Sequence, residues 1–125
     1  MALIVSVRDL RVWQRGVELA MRMFEVSKRF PTEERFSLTD QVRRSSRSVA
    51  ANIAEAWRKR RYQAAFIAKL NDAEGEAAET QTHVEIALRC GYIDAETARA
   101  VDAEYEDLLA QLVHMACHPQ DWIIV

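Results

Sequence analysis

Seven basic side chains concentrate in one stretch, RRSSRSVAANIAEAWRKRR at residues 43–61: Arg43, Arg44 and Arg47, then Arg58, Lys59, Arg60 and Arg61. Guanidinium groups fork onto phosphate oxygens, and a cluster of them displaces the counterions that a nucleic acid carries. Within the stretch only Glu55 opposes the seven. Phosphate recognition is therefore the chemistry these residues offer. The same pattern also fits the solvated face of a packed helix, ended by a basic run that complements the negative end of the helix dipole. In that second reading the run pairs with acids such as Asp72, Glu76 and Glu79 on a neighbouring helix or subunit.

The remaining chemistry-bearing residues are poorer candidates. His114 and His118 stand four apart with Cys117 between them. On one helical face such a pair can hold zinc, but Pro119 follows at once, and a helix-end role is the simpler reading. No metal is assigned. Ser45, Ser46 and Ser48 have no histidine or lysine base at a recognised spacing, and read better as small residues that let helices approach closely. Glu104, Glu106 and Asp107 lack the Glu-x-x-His pattern of di-iron bundles, and His83 is alone. Trp13 and Trp57 could stack on bases, yet both fall on apolar stripes and are expected as core or interface anchors. Asn52, polar beside Val49 and Ile53, is expected to fix register or close the following loop through a buried hydrogen bond, with Glu55 one turn further on. These residues point away from an enzyme and call for no cofactor.

The elements that must hold these residues follow from apolar spacing. A first helix spans about 9–29. Its charged positions Arg11, Arg15, Glu18, Arg22, Glu25 and Arg29 trace one face, against two apolar stripes: Trp13, Val17, Ala20, Phe24 and Val12, Leu19, Met23, Val26, Phe30. Two stripes are more than one neighbour requires. Pro31 ends this helix. A second runs over about 33–57, starting after Pro31 with Thr32 as its cap and an acidic first turn. Its inward stripe is Leu38, Val42, Ser45, Val49, Ile53 and Trp57. A third spans about 62–90, with Phe66, Leu70, Ala73, Ala77, Thr80, Val84 and Leu88 inward and Gly91 as a left-handed stop. A fourth covers about 94–118, capped by Asp94, with Ala98, Val101, Tyr105, Leu108, Leu112 and Met115 inward.

The result is an all-α, antiparallel up-down-up-down four-helix bundle filling one domain over 1–125. Three glycines and two prolines are too few to turn the chain through a sandwich or barrel. The apolar tail QDWIIV is left to cap the bundle or reach a neighbouring subunit. Small residues in the third helix, Ala73, Gly75, Ala77 and Ala78, imply close approach of another helix, since a mid-helix glycine costs about 1 kcal/mol against alanine. With the wide face of helix one, they favour a homo-oligomer.

Charge divides along the chain. Residues 1–61 hold 14 Lys/Arg against 7 Asp/Glu, whereas residues 62–125 hold 3 against 12. Such asymmetry can serve a nucleic acid, or hold basic helix to acidic helix within or between subunits. No segment approaches the roughly 20 apolar residues that span a bilayer, and MALIVSVRDL lacks the build of a secretory signal. Cys90 and Cys117 form no disulfide framework. A reduced, cytoplasmic setting without a membrane partner is expected.

The ordered motifs RDLRVW, FSLTDQVRRSSRSVAANIAEA and DAEGEAAETQTHVEIALRCGYI resemble the 23S rRNA intervening-sequence protein family. The resemblance covers about residues 7–118 and is most specific from Leu38-Thr39-Asp40-Gln41 through Asn52-Ile53-Ala54-Glu55. It implies a left-handed antiparallel bundle assembled as a homopentamer. A related branch, the accessory variability proteins of diversity-generating retroelements, binds nucleic acid and a reverse transcriptase. Those proteins are strongly basic, whereas this chain has a sequence pI near 5.9. A second departure is Ala56, where the family usually carries glycine, and it should let the second helix run on toward Trp57. Together these observations predict a non-enzymatic oligomeric scaffold that binds structured RNA or a ribonucleoprotein through helix two and the loop after it. The alternative is a protein–protein scaffold that touches no nucleic acid and spends its basic patch on subunit contacts.

Overall fold

The computed structural model describes residues 4–124. Four antiparallel helices carry the chain up, down, up and down: α1 (Arg11–Ser27), α2 (Leu38–Arg58), α3 (Gln63–Arg89) and α4 (Ala95–Cys117). Three short 3-10 turns, Val7–Asp9, Thr32–Glu34 and Pro119–Asp121, sit at the ends. Among the described residues there is no strand.

The expected stripes form the core. Leu38, Val42, Ser45, Val49, Ile53 and Trp57 of α2 are all buried, as are Ala98, Val101, Tyr105, Leu108, Leu112 and Met115 of α4. In α3, Phe66 through Val84 are buried as the spacing requires. Near its end the 3.6-residue period drifts, so that Ala87 points inward and Leu88 is half-buried. The two stripes of α1 divide the work. Val12, Leu19, Met23, Val26 and Phe30 enter the core, while Trp13, Val17 and Phe24 lie half-buried along its edge.

The helix ends have identifiable causes. Asp94 caps α4 by accepting the Thr97 N–H at 2.7 Å. Gly91 has φ +79°, and its N–H and that of Tyr92 bond the Leu88 and Ala87 carbonyls at 3.0 and 2.9 Å, a complete Schellman stop for α3. α1 is preceded by a capping box in which Ser6 and Asp9 satisfy each other's backbone N–H groups. The start of α2 differs from the expectation. Thr32 makes no cap, and Thr32–Glu34 form a separate 3-10 turn. The Glu34 carboxylate instead accepts from Ser37 Oγ at 2.6 Å and the Leu38 N–H at 3.3 Å, and Tyr92 Oη donates to its other oxygen at 2.8 Å. The helix therefore begins where Glu34, held sideways by Tyr92, can reach it. At the other end α2 continues through the buried Ala56 to Arg58.

α2 packs on both α1 and α3. Gly16 of α1 lies against Ala50, where an added Cβ would stand 3.5 Å from the Ala50 Cα. On the other side Ser45 Oγ and Thr80 Oγ1 share a buried hydrogen bond of 2.8 Å. The C-terminal segment folds over the bundle's end. Trp122 and Ile123 pack on the core, and the Ile124 N–H donates to the Arg60 carbonyl at 3.1 Å.

Candidate nucleic-acid interface

The outward face of α2 and the turn after it carry the basic residues, and the spacing along the helix separates them into two groups. At 1.5 Å rise per residue, Arg43 and Arg47 are about 6 Å apart along the axis, but Arg58 lies about 16 Å beyond Arg47. The intervening Ala51 and Ala54 offer no charge.

The first group forms a groove of about 410 Å³ lined by Arg35, Thr39, Asp40, Arg43, Arg44 and Arg47. Arg43 is half-buried. Its Nε donates to Ser27 Oγ at 2.8 Å, and its guanidinium carbon stands 4.7 Å from the Phe24 ring centroid. Arg47 approaches the same ring at 6.0 Å and Lys28 Nζ at 4.7 Å. Phe24 thus gathers three cations against its ring, an attraction that holds them without neutralising them. Arg44 Nη2 lies 3.4 Å from Glu79 Oε2, with the two side chains 59% and 47% exposed. A pair so exposed contributes little and yields readily to a stronger anion. Among the described residues Arg35, Arg43 and Arg47 make no ion pair. Arg35 is not among the sequence candidates, since it stands eight positions before Arg43 in a segment whose acidic TEE reads as a helix start.

The second group is less uniform. Arg60 turns back on its own helix: its Nε donates to the Trp57 carbonyl at 2.7 Å and its guanidinium carbon lies 3.5 Å from the Trp57 ring centroid. Burial, with the charge of Arg58 nearby, pushes its pKa down. Arg58, Lys59 and Arg61 are exposed at the carboxyl end of α2 and, among the described residues, pair with no acid.

The other flank of α2 is acidic. Asn52, Asn71, Asp72, Gly75, Glu76 and Glu79 line a cleft of about 450 Å³ between α2 and α3. Asn52 bonds within its own helix, donating to the Ser48 carbonyl and hydroxyl at 2.9 and 3.2 Å, so this bond links neither two helices nor the following loop. Glu55 ties α2 to α3 through Lys69 Nζ at 2.7 Å, a contact that holds its carboxyl below the usual range. Lys69 also reaches Asp72 at 3.5 Å. Among the described residues, none of the acids expected to meet the basic run does so within the protomer, and Glu79 reaches Arg44 instead. Burial and the adjacent Glu79 push the Glu76 carboxyl up.

The histidine pair does not converge on a common point. The His114 and His118 rings stack at 4.2 Å, and His118 Nδ1 lies 2.9 Å from the His114 carbonyl oxygen. Among the described residues no three histidine, cysteine or acidic side chains gather as metal ligands. Ser46 Oγ donates to the Arg43 carbonyl, and Ser48 Oγ accepts from Asn52. Trp57 is buried and Trp13 half-buried, as their stripes require. Glu104 pairs with Arg22 at 2.6 Å across α1 and α4. His83 is half-buried, and burial lowers its pKa.

These features define a small all-α protein built as an antiparallel four-helix bundle, in which no described helix is long and apolar enough to cross a membrane. The sequence profile of the 23S rRNA-intervening sequence proteins matches residues 8–114, and the chain belongs to that family. It is also similar to a crystal structure from Bacteroides thetaiotaomicron VPI-5482, described as a protein with unknown function from the S23 ribosomal protein family. The two are 31% identical with a TM-score of 0.76, over 84% of this chain and 97% of that one. No protein with a curated description matches this chain.

Proposed function

We propose that this protein is a non-enzymatic, oligomeric scaffold of the cytoplasm that binds structured RNA, alone or in a ribonucleoprotein, through the outward face of α2. One observation carries the reading: a groove holding four arginines, Arg35, Arg43, Arg44 and Arg47, in which Phe24 and Ser27 steady Arg43 and Arg47 while, among the described residues, only Arg44 meets an acid partner. Phosphates release counterions on meeting such a face. Arg58, Lys59 and Arg61 extend the field past the end of the helix, and Arg60 serves the fold.

Assembly into a homo-oligomer, a pentamer by the family resemblance, is supported by α3. Gly75 lies exposed in mid-helix, and a Cβ there would meet nothing within 4 Å. Its cost of about 1 kcal/mol has no reason within the protomer. A helix of a second subunit passing close supplies one. Met21, 57% exposed on α1, adds apolar surface for such contacts.

A second reading draws on the opposite charges of the two flanks. Arg58, Lys59 and Arg61 of one subunit would meet the cleft of Asp72, Glu76 and Glu79 of the next, in a protein-binding scaffold that leaves RNA aside. Two double variants separate these readings, with RNA affinity followed by fluorescence anisotropy and particle mass by light scattering. Under the proposed function, Arg43→Glu with Arg47→Glu weakens RNA binding at unchanged mass. Loss of the oligomer with Arg58→Glu and Arg61→Glu, and no RNA affinity in the unaltered protein, would establish the second.

A further inference from the structure

Phe36 is 86% exposed in the connection leading into α2. Single exposed apolar side chains are ordinary, so exposure alone decides nothing. Its surroundings add two facts. The Arg35 guanidinium carbon stands 5.5 Å from the Phe36 ring centroid, and the same Arg35 lines the arginine groove, so the ring is held at the groove's edge. The backbone on both sides is fixed. Arg35 N–H donates to the Thr32 carbonyl at 3.0 Å, Ser37 N–H to the Glu34 carbonyl at 3.0 Å, and the Glu34 carboxylate binds Ser37, Leu38 and Tyr92. The ring is displayed on an ordered turn, where little backbone entropy remains to be lost on binding.

We infer that Phe36 stacks on an unpaired base, so that this surface takes RNA in which a single-stranded nucleotide adjoins a helical stem, with the phosphates lying along Arg35, Arg43, Arg44 and Arg47. The inference rests on the proposed function and narrows its ligand. Bases within an RNA stem are closed to side chains, whereas unpaired ones splay out and stack on aromatic rings. A cationic groove that tracks the backbone beside an aromatic platform is the arrangement such strands require. Charge favours this occupant over a protein segment of mixed charge, since Asp40 is the single acid lining the groove against four arginines.

Two labelled RNAs test it: a blunt duplex, and the same duplex with a short single-stranded overhang. Each is titrated by anisotropy at low salt with the unaltered protein, Phe36→Ala and Phe36→Trp, and particle mass is measured in parallel. The expected result is roughly tenfold tighter binding of the overhang RNA. Phe36→Ala should erase that preference while keeping duplex affinity, and Phe36→Trp should keep both. Equal binding of the two RNAs, or a preference that survives Phe36→Ala, overturns the stacking role and leaves the proposed function standing. A change of mass in Phe36→Ala identifies the ring as a subunit contact and also overturns it. Failure of the unaltered protein to bind either RNA overturns both.

Discussion

Arg60 stacks on Trp57 with its guanidinium carbon 3.5 Å from the ring centroid, while its carbonyl receives the Ile124 N–H. One residue thus joins the end of α2 to the C-terminal segment, its side chain on Trp57 and its backbone carbonyl on Ile124. Arg60→Ala should cost about 1 kcal/mol through the lost cation–π contact, with a small effect on RNA affinity. Thermal denaturation and anisotropy on the same sample check both. A large loss of affinity at full stability would return Arg60 to the binding face.

Tyr92 and Glu34 should give the fold two pH edges. Hydrogen bonds from Ser37, Tyr92 and Leu38 lower the Glu34 pKa, and the same contact to Glu34 pushes Tyr92 up to about 12. A carboxyl depressed on folding adds stability that is complete above its unfolded pKa and is lost as pH falls through the folded value. A phenol raised on folding adds stability that is complete below about pH 10 and is lost as pH rises through about 12. Tyr92→Phe should lower the melting temperature at neutral pH and remove the alkaline edge. Melting curves recorded across pH would show it.

Glu76 has the opposite sign. Its carboxyl is raised by burial and by Glu79, so ionisation costs stability. That penalty is absent below the unfolded pKa and complete above the folded one. Glu76→Gln should raise the melting temperature at pH 7, with the gain vanishing in acid. An unchanged melting temperature at both pH values would contradict this account of Glu76.

Gly75→Ala should act in two directions. Within the protomer it should gain about 1 kcal/mol of helix propensity, because the added Cβ meets open space. Between subunits it should weaken assembly by filling the room a neighbouring helix uses. Denaturation of the dissociated protomer and sedimentation of the assembly read the two effects separately.

Legibility from sequence followed the range of the interactions. The bounds of α3 and α4 differ by one residue from the expected 62–90 and 94–118, because Gly91 and Asp94 act on their immediate neighbours. α2 begins at Leu38 because its capping carboxylate is positioned by Tyr92, 58 positions away. The Ser6-x-x-Asp9 pattern was available as a capping signal and places a 3-10 turn where the first helix was expected to begin. In the candidate site, residue type and spacing found seven basic positions. Which of them are tied to the fold was hidden, because that depends on how side chains turn: Arg60 back onto Trp57, Arg43 across to Ser27 and Phe24. Arg35 joins the groove through the tertiary course of the connection.

The most direct measurement of the central claim is the affinity of the purified protein for a structured RNA across a salt series. Four arginines on phosphates predict a log–log slope of about −3, flattened by Arg43→Glu with Arg47→Glu while the particle mass holds. No binding at low salt, or an affinity indifferent to salt, would contradict the account.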